Sequence, residues 1–209
     1  MRTPQSATVR SRTAPTSTAS GNQEDRMSGG ATVWLTGLPS AGKTTIATAL
    51  AGTLRAEGRR VEVLDGDEIR EFLSAGLGFS REDRHTNVQR IGFVAELLAS
   101  HGVLVLVPVI APYADSREAV RKRHEARGTA YVEVHVATPV DVCSVRDVKG
   151  LYAKQAAGEL TGLTGVDDPY EAPARPDLRI ETEGSTVEQS AAAVYAYLGA
   201  SGRIASEKR

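Results

Sequence analysis

From residue 31 onward, apolar runs of strand length alternate with stretches whose apolar residues recur every three or four positions. That alternation predicts parallel strands joined by crossover helices. A strand covered on both faces reads as a continuous apolar run, and each covering helix buries a single stripe. The first run is "ATVWLTG" (31–37), and Ile46, Leu50 and Leu54 then mark the buried stripe of a helix opening at Gly42-Lys43. The turn "AEGRR" leads to a short second strand, "VEVLDG" (61–66). A helix is predicted over 83–100, with Val88, Ile91, Ala95 and Leu98 on its core face. "VLVLVPVI" (103–110) predicts the third strand, flanked by Gly102 and Pro112. Residues 116–127 predict a surface helix whose run "RKRHEAR" reads as a solvated face. "AYVEVHVA" (130–137) is the fourth strand, and a helix follows from Thr138-Pro139 through Arg146. "LRIETE" (178–183) is the last strand, and 186–198 the closing helix. Residues 149–172 hold four glycines among polar residues with no clean period, the pattern of a mobile lid. The expectation is an α/β fold, a three-layer α/β/α arrangement with a five-stranded parallel sheet.

At 209 residues and 41% hydrophobic content the chain suits one domain, expected over 29–200. Residues 1–28, rich in Ser, Thr, Ala and Arg without apolar periodicity, predict a disordered tail, and 201–209 a short C-terminal one. The net charge of −1 gives no electrostatic footprint for nucleic acid or an anionic membrane. A single cysteine, Cys143, excludes an intramolecular disulfide and suits the cytoplasm. The longest apolar run, 103–112, is half the length of a spanning helix and contains a proline.

The chemistry starts at "TGLPSAGKTT" (36–45). Gly37 and Gly42 permit a tight path through Leu38, Pro39, Ser40 and Ala41, and the backbone amides there can cradle phosphates at a helix start. Lys43 reaches the outer phosphates of a nucleoside triphosphate, the Thr44 hydroxyl can ligate magnesium, and Thr45 follows. The carboxylates sit in "DGD" after the second strand. Asp65 and Asp67 can divide labour, one orienting through magnesium-bound water and the other accepting a proton from an acceptor hydroxyl. Taken alone, "DGD" fits equally well a strand-end turn capped by Asp67. Arg70 follows one turn later. Arg84, Asn87 and Arg90 recur at three-residue spacing on the next helix, a set suited to an anionic acceptor. Phe79 can stack a base. Arg146 and Lys149 open the lid, and closure would exclude water and bring positive charge onto the transferring group.

In order along residues 30–200, "GLPSAGKTT", "DGDEIR", "LGFSREDRHTNVQRIG", "APYADSRE", "DVKGLYAKQ" and "LTGVDDPYEAP" resemble the adenylylsulfate kinases. The resemblance implies transfer of the terminal phosphate of ATP, with magnesium, to the 3′-hydroxyl of adenosine 5′-phosphosulfate. It makes Gly42, Lys43, Thr44 and Thr45 ATP-phosphate contacts, Arg146 an ATP-side residue, and Asp67 the base or magnesium-side carboxylate beside Asp65. Phe79 would stack the acceptor's adenine. Arg70, Arg84, Asn87 and Arg90 would hold its phosphosulfate and ribose, and Lys149 would close on it. A homodimer is usual in the family, and an ATP sulfurylase is often a neighbour. Alternatives are a small-molecule kinase with another anionic acceptor, or a nucleotide-binding subunit of a sulfate-activating complex. Three positions depart from the family pattern. Ala111 replaces a serine considered as a phosphorylation site, Ala114 replaces an arginine, and Leu163 replaces the phenylalanine that forms the second face of an adenine sandwich.

Overall fold

The computed structural model describes residues 29–204; the predicted tail 1–28 and residues 205–209 lie outside them. Five parallel strands form one sheet: β1 (Ala31–Thr36), β2 (Val61–Val63), β3 (Leu104–Pro108), β4 (Ala130–Val136) and β5 (Leu178–Ile180), in the order β2-β3-β1-β4-β5. Every residue of β1 and β3 is buried, which is why neither alternates with charged positions, β1 carrying only Thr32 and Thr36 among apolar residues. Their side chains alternate between two cores. Ala31, Val33, Leu35, Leu104 and Leu106 face one layer, packed under α1 (Lys43–Ala56) and α7 (Val187–Ala200). Trp34, Val105 and Val107 face the other, under α3 (Arg81–Ser100) and α4 (Ala114–Arg127). The predicted three-layer arrangement therefore holds.

Because all strands run the same way, their carboxyl tips share one edge of the sheet, where open α/β folds place their ligands. Three short helices sit near that edge: α2 (Gly66–Glu71), α5 (Val140–Arg146) and α6 (Leu151–Ala156).

Several predicted details change. "DGD" opens α2, and the cap is Asp65 rather than Asp67: the Asp65 carboxylate accepts from the Asp67 N–H at 2.9 Å. The lid segment is not irregular throughout. It contains α6, whose Tyr152 is buried with its hydroxyl donating to the Pro39 carbonyl at 3.1 Å. The run "RKRHEAR" is not wholly solvated either. His124 is fully buried, its ring nitrogens 2.9 Å from the Val120 carbonyl and 2.8 Å from the Thr32 hydroxyl. Beyond α7 the chain turns back and buries Ile204 against the core.

Candidate active site

A cavity of about 730 Å³ opens along the carboxyl edge of the sheet, at the upper part of the range for small-molecule sites. The glycine loop forms one wall. Its path requires the left-handed region at Ser40 (φ 60°) and at Gly42 (φ 101°), the N-cap of α1. The loop thus delivers the first amides of α1 into the cavity. Lys43 lies along the loop and is buried, its ammonium donating to the Gly37 carbonyl at 3.0 Å and the Leu38 carbonyl at 2.7 Å. Burial lowers its pKa to about 8, so the charge is retained at neutral pH. Gly37 and Leu38 serve as these acceptors behind the loop, whereas Pro39 through Thr45 line the cavity.

The carboxylates face the loop from β2 and α2. Thr44 Oγ1 donates to Asp65 Oδ2 at 2.9 Å, while Asp67 Oδ2 is ion-paired with Lys149 at the start of the lid. Asp65 and Asp67, one residue apart, are thus divided: the first is tied to the loop and the second to the lid. No cluster of three or more His, Cys, Asp or Glu suited to a metal exists among the described residues. The Thr44 and Asp65 oxygens are nevertheless the hard donors that a magnesium ion shared with phosphates would take.

The opposite wall comes from α2, α3 and the loop between them. The Arg70 guanidinium lies over the exposed ring of Phe79, 4.5 Å from its centroid, and donates to the Gly78 carbonyl at 2.7 Å. Burial, and then the charge of Arg84, lower the pKa of Arg70. Arg84 is buried. It donates to the Phe79 carbonyl at 2.8 Å, to Thr164 Oγ1 at 2.7 Å and to the Gly162 carbonyl at 2.7 Å, with Asp168 at 3.6 Å. Asn87 lines the cavity one turn further along α3, and its carboxamide oxygen is shielded from solvent with no hydrogen-bond partner among the described residues.

The third wall is Arg146 at the end of α5, beside Gly42, with its guanidinium donating to Thr182 Oγ1 at 3.0 Å and the Thr182 carbonyl at 3.2 Å.

The Adenylylsulphate kinase family model matches residues 29–181, almost the whole described chain. The chain belongs to that family. An adenylyl-sulfate kinase of Rippkaea orientalis (strain PCC 8801 / RF-1) is 52% identical over 84% of this chain and 95% of its own length. One of Myxococcus xanthus (strain DK1622) is 56% identical over 77% of this chain and 86% of that protein. Among solved structures, the Mycobacterium tuberculosis APS kinase in complex with AMPPNP and APS superposes with a TM-score of 0.79 at 45% identity, covering 82% of this chain and 98% of that one.

Two residues that the adenylylsulphate kinase resemblance places on the acceptor lie outside the cavity wall. Arg90 is exposed on α3 and donates to the Leu73 carbonyl at 2.9 Å, since six residues along a helix turn it well away from Arg84. Leu163 is buried in the α1/α7-side core, its N–H capped by the Asp167 carboxylate at 2.6 Å. Sequence reasoning also missed residues. Asp168 and Tyr113, whose hydroxyl lies 3.4 Å from both Asp168 oxygens, pack behind Arg84 and tie the end of the lid segment to α3 and α4. Thr138 and Thr182, just beyond β4 and β5, sit under the glycine loop. The available signal was their place in the chain: a polar residue just past a strand's carboxyl end, on the same edge as the glycine loop.

Proposed function

We propose that this chain transfers the γ-phosphate of ATP in line to the 3′-hydroxyl of adenosine 5′-phosphosulfate, giving ADP and 3′-phosphoadenosine 5′-phosphosulfate. The observation that carries the reading is Asn87. A carboxamide oxygen buried without a partner is costly, and this one stands on the cavity wall facing the glycine loop, next to the stacked Arg70 and Phe79. A nucleotide-sized acceptor lying on Phe79 would give it a donor, for instance a ribose hydroxyl.

On this reading the loop amides and Lys43 hold the β- and γ-phosphates, and Arg146 holds the donor from the other side. Thr44 and Asp65 would hold Mg²⁺, which when bound supplies positive charge to the β- and γ-oxygens. Asp67 takes the proton of the 3′-hydroxyl as its oxygen attacks phosphorus and the bond to the ADP oxygen breaks. Lys149, paired with Asp67 in the structure, moves with the lid to the transferring group. Ala111, at the cavity floor, has no hydroxyl to carry a phosphate, so transfer goes directly to the acceptor. The same reading assigns acceptor supply to an ATP sulfurylase, the reaction to the cytoplasm and the assembly to a homodimer, all by family resemblance. No helix among the described residues is long and apolar enough to cross a membrane.

The test is ADP release with adenosine 5′-phosphosulfate, with adenosine 5′-phosphate and with a sugar acceptor. Release only with the first is expected. Release with the sugar would establish the small-molecule alternative, and acceptor binding without release would establish a nucleotide-binding subunit. Asn87→Ala should raise the acceptor KM about tenfold while the ATP KM stays within about twofold, as loss of one hydrogen bond to the acceptor alone predicts.

A further inference from the structure

We infer that Thr138 and Thr182 are positioning residues for the donor nucleotide, acting through a closed ring of hydrogen bonds that fixes Arg146 and the peptide joining Ala41 to Gly42. The inference rests on the glycine loop being the donor site.

Both hydroxyls are buried, and their oxygens lie 2.6 Å apart. Thr138 Oγ1 donates to the Ala41 carbonyl at 2.9 Å. A threonine hydroxyl has one proton, so in the Thr138–Thr182 contact Thr182 must be the donor. Thr182 Oγ1 in turn accepts from Arg146 Nη1, whose second N–H reaches the Ala41 carbonyl at 3.4 Å. The ring is therefore directional. Arg146 donates to Thr182, Thr182 to Thr138 and Thr138 to Ala41, with the guanidinium charge polarising every step.

Two consequences follow for the cavity. In a planar trans peptide the C=O and the following N–H point in opposite directions. Holding the Ala41 carbonyl behind the loop aims the Gly42 N–H forward, toward the phosphates. The ring also uses three of the five N–H donors of Arg146, counting the one given to the Thr182 carbonyl. The remaining two, without a partner among the described residues, are left for the donor nucleotide, on a guanidinium that cannot swing. The threonines come from the tips of two different strands, β4 and β5, so a rigid sheet edge, not the loop itself, sets the loop's last peptide.

A buried pair of hydroxyls that merely satisfied each other would leave ligand affinity untouched. The experiment therefore measures AMPPNP binding by calorimetry, which needs no acceptor, in Thr182→Val, Thr182→Ser and Thr138→Val, and in Arg146→Ala with and without Thr182→Val. We expect Thr182→Val to weaken AMPPNP about tenfold, the loss of one charge-assisted hydrogen bond, and Thr182→Ser to stay within about twofold of the parent. Thr138→Val breaks the next link of the ring and should match Thr182→Val. It serves as the test if Thr182→Val fails to fold. In the Arg146→Ala background Thr182→Val should add less than about threefold, since the hydroxyl works through the arginine. Parent-like affinity in a folded valine variant, or an undiminished penalty without Arg146, would overturn the inference while leaving the donor-site reading standing. No AMPPNP binding by the unsubstituted chain would overturn both.

Discussion

Asp65 and Asp67 show how one residue of spacing separates two roles. The Asp65 side chain is doubly committed, to the Asp67 N–H as the cap of α2 and to the Thr44 hydroxyl, so it is held rigidly against the glycine loop. Among the described residues the Asp67 carboxylate has only the exposed Lys149 ammonium, a screened pair that a substrate can replace at little cost. On the other side of the loop, Lys43 is packed among carbonyls that phosphate oxygens would displace. Asp67→Asn should therefore lower kcat by about a hundredfold or more and leave ATP affinity within about threefold, the pattern of a group needed only in the transition state. Lys43→Met should reduce both. Single-turnover kinetics alongside ATP titration separates the two effects, and an equal loss of ATP affinity in both variants would make Asp67 a ground-state contact.

α3, which carries Arg84 and Asn87, packs closely on α4, and that closeness depends on Gly92. A Cβ there would lie 2.5 Å from Val120 Cγ2 and 2.9 Å from Cγ1, inside a buried β-branched side chain that cannot rotate away. The helix-propensity gain of replacing glycine, about 1 kcal/mol, is outweighed by overpacking of about 1–3 kcal/mol. Gly92→Ala should thus lower Tm by several degrees. Gly52→Ala, on α1 where a Cβ meets nothing within 4 Å, should raise it slightly; differential scanning calorimetry reads both. This contrast marks what the chain discloses about its elements. β1 and β3 were legible because burial on both faces leaves a continuous apolar run, and α1, α3 and α7 because one stripe repeats. The short helices α2 and α6 were not, since six residues span less than two turns and cannot establish a period. Arg90 and Leu163 stand off the cavity wall for a related reason. Motif order says which residues are neighbours in the chain, but a helix face and a core position are fixed by packing. Asn87 could be named from its spacing, yet only the fold reveals that its oxygen lacks a partner among the described residues.

Across the whole molecule, the sheet's outer half carries a charge system, buried at Arg117 and Glu133 and half-buried at Arg121 and Asp177, that the parallel order brings together. Arg117 pairs with Glu133 at 3.0 Å and donates to the Ala111 and Glu171 carbonyls, and Arg121 pairs with Asp177 at 2.9 Å. His135 lies on β4 next to this system. Burial, followed by the charges of Arg179 and Arg117, lowers its pKa to about 4. Between about 6.5 and about 4 the unfolded chain then binds a proton that the folded one refuses. The stability His135 contributes is full above about pH 6.5 and drains away as pH falls toward 4. His135→Gln should flatten that part of the pH dependence in urea unfolding series, and an unchanged slope would mean that His135 titrates alike in both states. At the centre of the same sheet, Trp34 is the chain's only tryptophan and is fully buried, its ring 6.2 Å from that of Tyr131. All indole fluorescence of the protein thus originates from the middle strand, three residues before the glycine loop begins. The colour of that emission is governed by a site that water reaches only when β1 itself is dismantled, which makes the intact protein its own optical gauge of sheet integrity.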